Sequence, residues 1–246
     1  MSVLICGGSR GIGRAIGEGL AQPGTHVFLN YLGAQDEADD AARAVKAAGA
    51  EVTLIYGDIS TPSGANEVLE TVRSQTDHLG ALVHCAVKTV SGPVLTADPV
   101  AFGSAVQVNA MSLMYVVQAA LPLLGKGSSV VYLTSRGSRL ALKDYASVGV
   151  PKAMGEAFIR YLAVELAPLG ARANAVSPTA QDTEAFRSVF PDDYEERLRQ
   201  AAQRSPAGRA VDLDDIVDVV RFLVSPGAEM LQGQTIILDG ASTLVG

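Results

Sequence analysis

The 246-residue sequence predicts a single-domain α/β fold: a doubly wound sheet of about seven parallel strands with helices on both faces. Three observations predict it. Short β-branched runs alternate with Ala-rich segments along the whole chain, the pattern of a parallel sheet joined by crossover helices. The runs 130–133 (VVYL) and 235–238 (TIIL) are apolar at successive positions, as expected of central strands buried on both faces. Hydrophobic residues make up 48% of the chain and charged residues 18%, enough for one core of this size without disulfides or metal.

The elements follow in order. Val3-Leu4-Ile5 marks a strand over 2–6, and a glycine-rich turn leads into a helix over 11–22. A strand at 26–31 precedes a helix over 36–49, which Gly49 closes as a C-cap. A strand at 52–56 leads to a helix over 61–76, and a strand at 81–86 to a long helix over 98–123. The apolar part of that region, 110–125, is interrupted by Ser112 and Gln118. It falls short of a bilayer span and reads as a buried helix. A strand at 128–135, a helix over 144–168 and a strand at 171–176 follow. A helix over 184–203 is expected next, then one over 212–224 stopped by Pro226-Gly227, and a last strand at 234–239. No linker, charge block or repeat divides the chain, so 1–246 is read as one domain.

The formal net charge is −7. A nucleic-acid or anionic-membrane partner would want a positive field, so neither is expected. The two cysteines, Cys6 and Cys85, form no CxxC, and the chain opens on a strand without a signal-peptide layout. Both features point to a reduced, cytoplasmic setting. His26, His78 and His84 lack metal-site spacing, so no metal is expected.

In a doubly wound sheet, ligands bind beyond the carboxyl ends of the strands. Function should therefore sit just after residues 6, 31, 57, 86, 135 and 177. The first of these stations reads Gly7-Gly8-Ser9-Arg10-Gly11-Ile12-Gly13. Glycines there let the backbone approach a pyrophosphate, and the helix start offers free N–H groups and partial positive charge.

The spacing Gly7-x3-Gly11-x-Gly13 resembles that of the short-chain dehydrogenase/reductase family, a Rossmann-type fold, and the resemblance runs over essentially the whole chain. It implies a nicotinamide dinucleotide held by Gly7, Ser9, Arg10, Gly11, Ile12 and Gly13, by Asn30 and Tyr31, by Asp58 (against the adenine) and Ile59, by Cys85 and Ala86, and by Pro178. It puts Thr183 on the nicotinamide carboxamide. It assigns catalysis to Tyr145, Lys152 and Ser135, with Asn109 as the structural and proton-relay asparagine. It also implies a substrate lid at about 183–210 and a homotetramer or homodimer. Three departures stand out: Cys6 before the first glycine, His84-Cys85-Ala86-Val87 after the fourth strand, and Thr179 after Pro178. Cys6 and Cys85 are expected as two buried small side chains, and His84 as a packed substitute.

No acid ends the second strand at Leu29-Asn30-Tyr31-Leu32, and Arg10 lies in the glycine turn. An acid there would repel a 2′-phosphate, whereas a guanidinium would grip one. NADP(H) is therefore the expected cofactor.

Reduction of a carbonyl or an activated alkene develops negative charge on oxygen, which a donor must meet. Tyr145 serves if Lys152 lowers its pKa. Residues seven apart on a helix differ by only ~20° from two full turns, so the two share a face if the helix already holds at Tyr145. Most of the family has Tyr-x3-Lys. Here the register is Tyr-x6-Lys, with Val148 four before the lysine. This register is similar to that of the enoyl-acyl carrier protein reductases, and segments 145–152, 160–166, 205–209 and 233–240 resemble the type III enzymes most closely. The implied reaction is hydride transfer from NADPH to an enoyl thioester. A ketoreductase of secondary metabolism and a non-catalytic NADP(H)-binding protein are the alternatives. Arg136, Arg139 and Lys143, between Ser135 and Tyr145, are placed to receive an acyl carrier protein or the phosphates of coenzyme A, with an ordinary solvated loop as the alternative.

Overall fold

A computed structural model describes residues 1–33 and 35–245. Seven strands form one parallel sheet: β1 (Ser2–Cys6), β2 (His26–Tyr31), β3 (Glu51–Tyr56), β4 (Ala81–His84), β5 (Ser129–Leu133), β6 (Arg172–Pro178) and β7 (Thr235–Leu238). Their order is β3-β2-β1-β4-β5-β6-β7. The direction of winding reverses between β1 and β4, and a crevice opens at such a point beyond the strand ends.

Nine α-helices are described: α1 (Gly11–Leu20), α2 (Gln35–Ala47), α3 (Pro62–Arg73), α4 (Pro99–Val106), α5 (Ser112–Ala120), α6 (Ala146–Leu166), α7 (Glu184–Val189), α8 (Tyr194–Gln203) and α9 (Leu213–Val224). Ile16 of α1, Val45 of α2 and Ile216 of α9 pack on one face of the sheet with Val3, Ile5 and Val131. Val68 and Leu69 of α3, Leu113 of α5 and Ile159 of α6 pack on the other, with Leu4, Leu82 and Tyr132. Side chains alternate along each strand, so one strand feeds both layers.

Local chemistry sets the ends of these helices. Asp98 caps α4 through Ala101 N, with Pro99 at its first position. A wider turn over Gln107–Met111 joins α4 to α5. Gly49 takes a left-handed φ of 90° just past α2.

Three expectations need correction. The helix expected over 184–203 is two, because Phe190 leaves the helical region and Pro191 cannot continue one. The run 235–238 is the edge strand β7, with Ile237 42% exposed, and not a central strand. Finally, Pro99–Leu123 forms one helical run long and apolar enough, at mean hydropathy 1.5, to meet the length and composition of a bilayer span. In the fold its Leu113, Val116, Val117 and Ala120 are core residues.

Candidate active site

The strand ends and the glycine turn enclose a cleft of about 1160 Å³. Every one of the six expected stations contributes: 7–13 after β1, 30–32 after β2, 57–62 after β3, 85–89 after β4, 133–136 after β5 and 178–186 after β6.

The turn after β1 is built for close approach. Gly7 N and Gly8 N both donate to Asn30 O, at 3.0 and 2.9 Å. A Cβ on Gly7 would meet the Ala86 backbone at 2.8 Å, and one on Gly13 would enter the Gly7 carbonyl. No side chain caps α1, so its first-turn N–H groups face the cleft as an anion cradle. This cradle, and a cleft long enough to run from Asp58 to Tyr145, fit a nicotinamide dinucleotide.

The remaining expected cofactor residues are placed as follows. Ser9, Arg10, Ile12, Tyr31, Asp58, Ile59, Cys85, Pro178 and Thr183 line the cleft. Asn30 reaches it too, but its amide donates to the carbonyls of Ile55 and Gly57 and so shapes the exit of β3. Thr183 caps α7 through Phe186 N and sets its methyl group against Gly11. Arg10 is not a free phosphate ligand: it pairs with Glu184 of α7 and, at 3.6 Å, with Glu37 of α2. Glu37 also lines the cleft; it lies in the first turn of α2 and not at the end of β2, where the sequence pattern puts a ribose-binding acid, and so escapes that pattern.

At the other end, Tyr145 Oη and Ser135 Oγ are 3.2 Å apart. Tyr145 precedes α6 and does not belong to it: Asp144 adopts a left-handed φ of 59° and the helix begins at Ala146. The shared helical face expected for Tyr145 and Lys152 is therefore corrected. A turn delivers the phenol, and the helix delivers the lysine. Lys152 Nζ donates to Leu133 O at 2.5 Å and lies 4.5 Å from the centroid of the Tyr132 ring. Burial pulls its ammonium down to about 8. Burial also raises the Tyr145 phenol above its ordinary value, with the Ser135 hydrogen bond opposing. The expected depression of Tyr145 by Lys152 is therefore corrected: burial sets the direction and the Ser135 hydrogen bond is what opposes it, so Tyr145 stands ready as a donor.

Asn109 is buried and braces the site. Its Oδ1 accepts from Lys88 N at 2.7 Å; its Nδ2 donates to Lys88 O at 2.8 Å and Ser147 O at 3.1 Å. Pro151 lies inside α6. It lacks the N–H that would bond Ser147 O four residues back, and Asn109 takes that carbonyl. Asn109 thus ties the loop after β4 to the start of α6, and its side chain is committed to positioning both.

Glu156, one turn past Lys152, was also missed; the i,i+4 spacing is the signal that would have found it. Its buried carboxylate accepts from Thr134 Oγ1 at 2.9 Å, Ser138 Oγ at 2.5 Å and the Arg139 guanidinium at 3.3 Å. The loop that carries Ser135 is thereby fixed to α6. Of the three cations expected at the mouth, only Arg136 lines the cleft; Arg139 is held by Glu156.

His84 is a packed residue: Nε2 bonds Ser112 Oγ at 2.7 Å, and burial drops its pKa to about 3. Cys6 and Cys85 are free thiols that burial keeps protonated, Cys85 pushed up to about 12. From the segment between α7 and α8, Phe190 stacks on the Tyr145 ring at 5.8 Å, with Phe186 of α7 beside it and Arg197 of α8 on the Phe190 ring at 3.9 Å.

The chain is similar to known proteins over nearly its whole length. The 1-cyclohexenylcarbonyl-CoA reductase of Streptomyces collinus is 30% identical over 98% of this chain and 86% of its own. A short-chain type dehydrogenase/reductase from Mycobacterium ulcerans superposes with a TM-score of 0.90 at 25% identity, over 99% of this chain and 90% of the other. The angucycline C-6 ketoreductase LanV with bound NADP gives 0.88 at 27%, over 99% and 96%. Residues 7–243 match the family described as enoyl-(acyl carrier protein) reductase, and the chain is an oxidoreductase belonging to the short-chain dehydrogenases/reductases.

Proposed function

We propose that this oxidoreductase uses NADPH to reduce the conjugated double bond of an enoyl thioester. The observation that carries the reading is the placement of Tyr145. Its hydroxyl enters the cleft beside Ser135 from a turn, while Val148, four before Lys152, forms apolar cleft wall. The phenol thus comes from the turn three residues before the Tyr-x3-Lys position and not from the helix itself. In conjugate reduction the acceptor carbon and the oxygen that gains charge lie farther apart than in a ketone, and a displaced donor suits that separation.

The nicotinamide cofactor supplies the hydride. Tyr145 and Ser135 donate hydrogen bonds to the thioester oxygen as it becomes enolate-like, and Lys152 adds positive charge nearby. Phe186, Phe190 and Leu142 give the acyl group an apolar wall. The S. collinus relative, named for a reductase of a CoA thioester, supports a thioester substrate. LanV, named a ketoreductase, supports the alternative of carbonyl reduction. The test is NADPH consumption with paired crotonyl and acetoacetyl thioesters. Faster turnover of crotonyl is expected; a preference for acetoacetyl overturns the reading in favour of a ketoreductase.

The preference for NADPH rests on Arg10, which can exchange its exposed carboxylate partners for a 2′-phosphate. Arg10→Ala should lower kcat/KM for NADPH about tenfold or more and leave NADH nearly unchanged, as removal of a charge-assisted contact to one cofactor would. Glu37→Gln should widen the preference. Equal values for both cofactors, insensitive to Arg10, would sink it. We further infer that Arg136 receives an acyl carrier protein or coenzyme A, that the lid spans 183–210, that the chain works in the cytoplasm and that it assembles as a homotetramer or homodimer.

A further inference from the structure

The reading above leaves one large buried polar side chain without a task. Tyr132 is fully buried in β5, paired in register with His84 of β4 and Ala175 of β6. Its hydroxyl donates to the main-chain oxygen of Asn109, which fixes the ring. The Lys152 ammonium lies over that ring, 4.5 Å from its centroid, while Nζ donates to the carbonyl of the very next residue, Leu133. The helix makes room for this. Gly155, three residues after Lys152 on α6, has no Cβ, and a Cβ there would clash with the hydroxyl-bearing edge of the Tyr132 ring, 2.3 Å from Cζ and 2.4 Å from Cε1. Glycine within a helix is about 1 kcal/mol worse than alanine. Gly155 has an ordinary helical φ, so steric room for the ring is the reason it is there.

We propose that Tyr132 is a positioning residue for Lys152: the face of its ring and the Leu133 carbonyl together seat the ammonium at the end of β5, and Gly155 is the gap in α6 that admits the ring. The proposal rests on Lys152 acting as the site's cation. The groups that face Lys152 do little to hold its charge. From β4 and its exit come His84, neutral because it is buried, and Cys85, a protonated thiol. From the turn before α6 comes the protonated Tyr145 phenol. On its own helix Glu156 is engaged by Arg139. Among the described residues, no carboxylate forms an ion pair with Lys152. A negative ring face is worth most to a cation stripped of water, and Lys152 is 4% exposed.

The test uses the full-length protein with Tyr132→Phe and then mono- and trifluorinated phenylalanine at 132. These keep the ring's shape while draining its negative face. Lysine-labelled protein reports the Lys152 titration midpoint by carbon NMR, assigned with Lys152→Arg; the chain has five lysines. Fluorination is expected to lower the midpoint stepwise, by about one pH unit at the trifluoro ring. The alkaline limb of kcat/KM should move down in parallel. Gly155→Ala, which displaces the ring, should lower the midpoint too. An unchanged midpoint across the fluorinated series overturns the proposal. A falling midpoint with a fixed alkaline limb supports Tyr132's hold on Lys152 and overturns instead the role of Lys152 in the reaction.

Discussion

A half-buried phenol whose only side-chain hydrogen bond among the described residues is to a serine hydroxyl is a better donor than base, and that bears directly on Tyr145. Tyr145→Phe removes the hydroxyl and keeps the ring that stacks on Phe190, so NADPH binding should survive. If the product is an alcohol, kcat should fall by about 10²–10⁴, the usual contribution of a general acid. If an enoyl thioester is reduced, Ser135 and Lys152 share the stabilisation and the loss should be milder. Lys152→Ala should be at least as damaging as Tyr145→Phe on either substrate. Steady-state kinetics decide, and full activity in Tyr145→Phe would overturn the mechanism. His84 carries a second expectation at this scale. Its folded-state pKa, about 3, lies below the ordinary 6.5, so below pH 6.5 the unfolded chain binds a proton that the folded one refuses. Stability from this residue is whole above 6.5 and drains as pH falls towards 3, by about 2 kcal/mol between pH 7 and pH 5. Urea unfolding of His84→Gln, which can keep a bond to Ser112, should show that part of the acid loss removed. An unaltered pH slope would place the sensitive group elsewhere.

Elements reveal what spacing can and cannot carry. The alternation of strands and helices was legible because the hydrophobic period changes with each element, and so was the convergence of the strand-end segments on one cleft. The start of α6 was not, since the left-handed Asp144 turn leaves no period to read. Nor was the brace between Asn109 and Ser147, which joins residues 38 apart, although Pro151 announces a free carbonyl one turn back. Arg136, Arg139 and Lys143 looked alike as a cluster of charge in one loop, yet the fold separates them. Arg139 faces a carboxylate that is only 7% exposed, while being 46% exposed itself. Arg139→Glu should therefore lower Tm and kcat on every substrate, short and carrier-bound alike, because it sets like charges together beneath Ser135. The stability cost should stay below the ~3–5 kcal/mol of a fully buried pair, given the exposure of the arginine. Arg136→Glu is the cleaner docking probe and should raise KM for carrier-bound substrate with little change in Tm. Equal KM effects of Arg136→Glu on a short uncharged mimic and on the carrier substrate would remove the docking role.

For the molecule as a whole, the exposed apolar residues bear on the proposed assembly. β7 has the composition of a strand buried on both faces but stands at the sheet edge, with Ile237 half-exposed and Leu244 and Val245 open beyond it. On α6, Val150, Tyr161 and Val164 are 54%, 71% and 74% exposed, and Leu121 and Leu169 are also uncovered. A lone exposed leucine means little, but several exposed apolar residues on one helix, together with an apolar sheet edge, are what a self-association surface would present, and we propose one here. A second copy is the occupant to expect: an apolar edge strand invites pairing unless it is covered, and identical patches close by two-fold symmetry. Val164→Glu places a charge at the most exposed of the three α6 residues, where monomer packing does not reach, so the fold should persist. Light scattering should then report a smaller species than for the parent protein, and its Tm should become independent of protein concentration, since assembly stabilises by mass action. A parent protein that is monomeric at micromolar concentration, or a Val164→Glu variant of undiminished mass and concentration-dependent Tm, would rule out α6 as the assembly face.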